Sequence, residues 1–129
     1  MIKIRETQRL NNWVDYEMQV DGEVVGGAYV IEYDDAAYIE RIDINEDRRN
    51  RGYGSILIAW ISEKYGRVYA APDNPISKRL FERIGDEHDG EYSGFDQGFG
   101  VYEIGKYRIT DYNIDEIEFY VEHDPIPEP

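Results

Sequence analysis

Residues 48–55, R-R-N-R-G-Y-G-S, place three arginines and two glycines in one short stretch of a chain whose formal net charge is −14. Gly52 and Gly54 would let the backbone approach an anion with no Cβ in between, and Arg49 and Arg51 offer charge-assisted hydrogen bonds to its oxygens. A helix starting here would add unpaired N–H groups and the positive end of its dipole. The chemistry that fits this spacing is phosphate binding. Two common phosphate loops do not fit: no lysine completes G-x-x-x-x-G-K-[ST], and G-Y-G lacks the third glycine of G-x-G-x-x-G. A bland reading, with the glycines there for packing and the arginines in solvent, accounts for the same letters.

A second candidate stands just upstream. In A-Y-I-E-R-I-D-I, residues 37–44, strict alternation puts Glu40 on one strand face with Tyr38, Ile42 and Ile44, and Ile39 on the other. A carboxylate among apolar neighbours can act as a general base. Pairing with Arg41 or with a neighbouring strand is the structural alternative.

The elements that must position these groups follow from periodicity. Ile2 and Ile4 alternate with Lys3 and Arg5 as a short first strand, followed by a polar stretch. Asp21-Gly22 lies between two alternating runs and predicts a type I′ hairpin joining antiparallel strands. After the strand at 37–44, Ile56, Leu57, Trp60 and Ile61 recur at helical spacing, which predicts a helix over 53–65 closed by Gly66. Arg67 to Ala71 is a strand ended by Pro72, completing a βαβ unit. Asn74-Pro75 caps a second helix, with Ile76, Leu80, Phe81 and Ile84 on its apolar face and Gly85 as its stop. Two further strands are expected around a loop near Gly94 to Gly98. Residues 106–129 fit helix and strand periods alike, ending in a frayed P-I-P-E-P.

Composition narrows the function. A chain of 129 residues fits one core, since a domain takes roughly 100–200 residues. Its 28 acidic against 14 basic residues would repel a phosphate backbone, so nucleic acid is not an expected partner and cationic partners are. Solubility and salt adaptation explain the acidity equally well. No cysteine is present for a thiolate nucleophile, and His88 and His123, taken as surface residues, have no metal-ligand spacing, so no metal is expected. No membrane span or secretory leader is read, which points to a cytoplasmic location.

R-R-N-R-G-Y-G-S-I-L resembles the R/Q-x-x-G-x-G/A acyl-CoA pyrophosphate loop of the GNAT superfamily of N-acetyltransferases, with Arg49, Gly52 and Gly54 on the motif positions. The upstream I-E-R-I-D-I-N-E and downstream N-P-I-S-K-R-L-F-E-R-I-G resemble that family's neighbouring segments in order and spacing, and the resemblance covers about residues 15–105. It implies an α/β (α+β) fold: a mixed, mostly antiparallel twisted sheet with a central βαβ unit and splayed parallel strands, flanked by helices. Residues 1–105 would form the acetyltransferase domain, and 106–129 an acidic extension packed on it or trailing from it.

The same resemblance implies acetyl-CoA as cosubstrate. Arg49, Asn50, Arg51, Gly52, Tyr53, Gly54 and Ser55 would hold its pyrophosphate, and Ile42, Asp43, Ile44 and Asn74 would lie along its pantetheine arm. Glu40 matches the position of a general base in polyamine-acetylating members. Where many members carry a tyrosine acid in the second helix this chain has Phe81, and Tyr69 is a candidate replacement. Only about Thr7 to Trp13 is available for the two helices that usually wall the acceptor site, so that wall must be short. The implied activity is acetyl transfer to a primary amine, a protein lysine or N-terminus or a polyamine, by a monomer or homodimer. The alternative on the same fold is a non-catalytic acyl-CoA binder or an acidic interaction protein, such as a phage-type antagonist.

Overall fold

The computed structural model describes residues 1–72, 74–88, 101–105 and 109–123. Eight strands form one sheet: β1 (Ile2–Leu10), β2 (Trp13–Val20), β3 (Glu23–Glu32), β4 (Ala37–Ile44), β5 (Val68–Ala70), β6 (Gly85–His88), β7 (Val101–Ile104) and β8 (Glu118–Val121). Their order is β6-β7-β5-β4-β3-β2-β1-β8. The β4/β5 and β1/β8 pairs are parallel, and the others antiparallel. Helix α1 (Tyr53–Tyr65) connects β4 to β5, and α2 (Pro75–Ile84) connects β5 to β6. Among the described residues no helix is long and apolar enough to cross a membrane.

Several local signals fold as their chemistry dictates. Asp21 and Gly22 both take positive φ, 51° and 85°, as a type I′ turn requires. Gly66 ends α1 at φ 80°. The side chain of Asn74 accepts from the Ser77 amide at 2.9 Å, and Pro75 stands in the first turn of α2. Gly85 stops α2 by a different route: its backbone is extended and passes directly into β6, where a Cβ would lie 2.6 Å from the Glu103 carbonyl oxygen. Ile76, placed by periodicity on the apolar face of α2, is exposed, because only the turn bearing Phe81 and Ile84 reaches the core. The loop expected near Gly94 to Gly98 and the proline-rich tail lie outside the described residues.

The first strand is longer than its apolar residues suggest. β1 runs through the polar residues to Leu10, and the turn Asn11-Asn12 returns directly into β2, with Asn11 at φ 56°. Asparagine tolerates that left-handed conformation. The stretch expected to hold a short wall is therefore hairpin, and no helix stands between β1 and β2.

Both helices bury their apolar side chains on one sheet face. Ile56, Leu57, Trp60 and Ile61 of α1 and Phe81 and Ile84 of α2 join Ile2, Ile4, Val14, Tyr16, Met18 and Val30 in the main core. A smaller cluster of Ile31, Ala36, Tyr38, Tyr69, Ala71 and Val101 occupies the opposite face. Among the described residues no helix covers that second face.

The main core contains a polar knot. Glu6, only 4% exposed, accepts hydrogen bonds from Arg9 at 2.8 Å and pairs with His123 at 2.6 Å. Arg9 also pairs with Glu32, which accepts from the Tyr65 hydroxyl at 2.7 Å, and that hydroxyl meets the Tyr16 hydroxyl. His123, expected at the surface, is thus a tether that holds the chain beyond β8 against β1. Residues 114–121 resolve into a 3₁₀ turn, Ile114–Glu116, and the edge strand β8, whose Phe119 packs on Trp60 with ring centroids 5.2 Å apart.

Burial alone would raise the Glu6 carboxyl, but the bonds from Arg9 and His123 outweigh it and hold its pKa below the ordinary 4.5. Glu32 shows the same balance, with burial outweighed by Arg9 and Tyr65. Carboxyls depressed in this way contribute stability that is complete above the ordinary value and lost as pH falls through the folded value. The urea midpoint should therefore drop between about pH 5 and about pH 3, and the drop should be shallower in Glu6→Gln. Parallel curves for the two proteins would remove the knot from this account.

Candidate active site

The site begins where β4 and β5 part. Their ladder pairs Ala37 with Val68, Tyr38 with Tyr69 and Ile39 with Ala70, then stops, while β4 continues to Ile44. β5 itself ends at Ala70, two residues before Pro72, whose ring fixes φ. On the other side of β4, Tyr29 faces Arg41 and Val30 faces Ile39, so Glu40 is the extra residue of a β-bulge. A bulge bends its strand and sharpens its twist, which turns the end of β4 away from β5. The result is a fork with Glu40 at its crotch, β4 as one arm, and Ala71, Pro72 and Asn74 leading into α2 on the other.

The bulge also corrects the strict alternation expected for β4. Ile39 belongs to the main core and Ile42 packs on it, whereas Tyr38 lies in the cluster on the opposite face. Tyr38 and Ile42 do not share a face, because the extra residue between them resets the period. Nothing in the letters I-E-R announces that insertion.

Below the fork the chain turns through the Glu46–Arg48 3₁₀ turn into α1. Asn50 and Gly52 both take left-handed φ, 65° and 81°. Gly52 caps α1 with no side-chain hydrogen bond, and the first helical bond runs from the Ile56 amide to the Gly52 carbonyl at 3.0 Å. The amides of Gly52, Tyr53, Gly54 and Ser55 are therefore spent neither on the helix nor on a capping side chain, and they sit at the positive end of its dipole. The Tyr53 ring packs against the core, so this residue offers its backbone alone to an anion.

The arginines divide by role. Arg48 turns away and pairs with Glu23. Arg49 donates Nε to the Ile44 carbonyl at 3.0 Å, tying the loop to the tip of β4, and its Nη2 stands 3.9 Å from Asp43. Asp43 also pairs with Arg41 at 3.3 Å. Arg51 is exposed and makes no ion pair among the described residues. A Cβ at Gly54 would meet Ile44 and Leu80 at 3.7 and 3.9 Å, ordinary contact distances, so packing does not demand glycine there. A diphosphate fits this donor set: open amides, a helix dipole and guanidinium groups.

Of the two candidate proton carriers, Glu40 is half-buried at the bulge, and Tyr69 is buried one strand away in the smaller cluster. Phe81 is 2% exposed in the main core. The Oδ1 of Asn74 serves as the cap of α2.

A family model for the acetyltransferase (GNAT) family matches residues 2–86. The chain belongs to the GNAT acetyltransferase family. It is accordingly an acetyl-CoA-dependent acetyltransferase, with acetyl-CoA as cosubstrate. Similar solved structures agree in fold. Tetrahymena GCN5 superposes with a TM-score of 0.61 at 18% identity, covering 80% of this chain and 74% of that one. The ribosomal-protein-S18-alanine N-acetyltransferase of Escherichia coli gives 0.54 at 15% identity, covering 74% and 66%. The PaiA N-acetyltransferase of Thermoplasma acidophilum, solved with coenzyme A, gives 0.53 at 16% identity, covering 74% of this chain and 62% of that one. No curated protein matches the chain.

Sequence reasoning missed the glycine pair on β3. A Cβ on Gly26 would lie 2.2 Å from the Asp43 carbonyl oxygen, and one on Gly27 would lie 2.3 Å from that of Tyr16. The pair lets β2, β3 and β4 close up behind the fork, and adjacent glycines inside a strand pattern are the signal for such close approach.

Gly54→Ala separates packing from ligand approach. Alanine is favoured in a helix by about 1 kcal/mol over glycine, so the melting temperature should hold or rise. Acetyl-CoA affinity, read by calorimetry, should nevertheless fall at least about tenfold, the cost of roughly one displaced hydrogen-bonded contact.

Proposed function

We propose that the protein transfers the acetyl group of acetyl-CoA to a primary amine of a bulky cationic acceptor, a protein lysine or N-terminus or a polyamine, by direct attack. The observation that carries this reading is the fork: the β4–β5 ladder ends at Ile39 and Ala70, and β4 runs on to Ile44, which adjoins Gly54 in the first turn of α1. In this reading the amides of residues 52–55 with Arg49 and Arg51 hold the pyrophosphate. Asn50 shapes the turn, and Ile42, Asp43, Ile44 and Asn74 flank the pantetheine arm in the gap.

The acceptor chemistry sets what Glu40 must do. An alkylammonium ionises near pKa ~10.4 and has no lone pair to attack with until it loses a proton. Glu40 accepts that proton, directly or through water, as the C–N bond forms at the thioester carbonyl and the C–S bond breaks. The departing sulfur takes up a proton in turn. Phe81 cannot supply it, and the Tyr69 hydroxyl is the group assigned that task. A thiol ionises near pKa ~8.5, so the thiolate leaves tolerably even unassisted.

The direct β1–β2 hairpin favours a bulky acceptor. With no helix inserted there, the β1–β2 part of the second sheet face is, among the described residues, open to a partner too large for an enclosed pocket. Thiol release in the presence of acceptor amines measures this transfer directly.

Three variants test the assignments. Glu40→Gln should lower kcat by about 10²–10⁴-fold while leaving acetyl-CoA affinity within about twofold, and unchanged turnover would discredit the base. Tyr69→Phe should lower kcat with KM for the acceptor unmoved. Arg51→Ala should weaken acetyl-CoA binding by about tenfold or more, with the loss shrinking in high salt. Against panels of peptides, polyamines and aminoglycosides, peptides or polyamines should react fastest.

A further inference from the structure

The uncovered sheet face carries a cavity that the reaction does not use. It measures about 260 Å³ and is lined by Gln8, Leu10, Asn11, Trp13, Asp15 and Tyr29, with Val14 at its floor. That is below the ~300–1,000 Å³ typical of small-molecule pockets and suits one inserted side chain. Two of its walls are aromatic and unusually open for their size: Trp13 is 46% exposed and Tyr29 42%.

Its one carboxylate is half-buried and lacks a cation. Among the described residues Asp15 forms no ion pair, and no lysine or arginine lines the cavity. Burial pushes the Asp15 carboxyl up, a nearby Thr7 hydroxyl partly offsets this, and Glu17 adds to the rise. Among the described residues, the basic ones elsewhere on this face are already engaged: Lys3 with Glu118 at 3.5 Å, Arg5 with Glu17 at 2.7 Å, and Arg41 with Asp43 at 3.3 Å. An indole, a phenol and an uncompensated carboxylate together form a receptor for an alkylammonium or guanidinium group, which gains both the ion pair and the ring faces.

The register links this cavity to the fork. Asp15 pairs with Tyr29, and Tyr29 pairs with Arg41, the neighbour of Glu40, so the three form a row across β2, β3 and β4. Adjacent strands lie about 4.8 Å apart, which puts the Asp15 backbone about 10 Å from β4. An extended peptide covers that distance in about three residues.

We propose that Trp13, Asp15 and Tyr29 form a docking pocket for a second basic side chain of a protein acceptor, about three residues along the chain from the amine that is acetylated. This rests on the open-acceptor reading above and narrows it to a protein segment bearing two basic groups. A second copy of this chain is a poorer occupant, since it would bring a further net charge of −14 against an acidic pocket.

The test needs no turnover and no acetyl-CoA, so it can fail independently of the catalytic assignments. An amino-terminally blocked peptide G-K-G-G-K-G and its single-lysine counterpart G-K-G-G-A-G are titrated into the full chain and followed by calorimetry and tryptophan fluorescence. The two-lysine peptide should bind about tenfold more tightly. Asp15→Asn should abolish that preference, whereas Glu63→Gln, an equal charge change on the far side of the sheet, should keep it. A preference that survives Asp15→Asn, or falls equally in Glu63→Gln, would overturn the pocket in favour of diffuse attraction. A dimer by sedimentation that Trp13→Ala dissociates would overturn it in favour of self-association.

Discussion

The parting of β4 from β5 is the constraint on which the rest of the structure depends. Two parallel strands joined by a crossover helix would ordinarily stay paired along their length, and here they keep only three rungs. The bulge at Glu40 twists one strand away, while the other ends at Ala70. The arm of β4 that runs past the opening adjoins the first turn of α1, whose first four amides are unclaimed among the described residues. Because α1 is also the main apolar plug of the core, its N-terminal end, proposed to hold the pyrophosphate, cannot shift without disturbing Leu57, Ile58 and Ile61. The rigidity of the site is thus borrowed from hydrophobic packing.

Holding a diphosphate on so acidic a chain is an electrostatic problem solved locally. Screening confines interactions among exposed charges to roughly 8–10 Å, so distant carboxylates contribute little to the potential at the loop. What matters is how nearby charge is distributed. Arg48 is neutralised by Glu23, and Arg49 is half-committed to Ile44 and Asp43, while Arg51 and the helix amides remain available. The helix dipole needs no counter-carboxylate, and the first turn of α1 contains no acidic residue.

Much of this was legible in the letters, for reasons that can be stated. Asp21-Gly22, Gly66, Asn74-Pro75 and the arginine-glycine turn each depend on a local conformational preference, and local preferences survive tertiary context. The periodic face of α1 was equally plain. The losses are all non-local. The bulge at Glu40 exists only relative to Tyr29 and Val30, so no pattern within residues 37–44 reveals it. The extension of β1 through polar residues is decided by pairing with β2 and by the buried Glu6 knot, not by hydrophobic alternation. Residues 114–121 fitted two periods equally, and pairing with β1 and contact with Trp60 decided between them.

The distribution of polar residues explains how the β1, β2 and β4 part of the second sheet face stands without a covering helix among the described residues. A largely antiparallel sheet can leave one face to solvent when its outward residues are polar, and Arg5, Glu17, Arg41 and Asp43 meet that need along β1, β2 and β4. On the helix-covered face, β8 extends the sheet beyond β1, and Phe119 adds a ring to the cluster of Tyr16 and Trp60, with Lys64 over its face at 4.4 Å. An added edge normally invites further strand pairing, but Glu118 and Glu122 border this one and discourage it by charge. Against that polar background, Leu10, Trp13 and Tyr29 are the residues that solubility does not explain. They stand together around Asp15, on the sheet face across which the proposed acceptor would reach the fork.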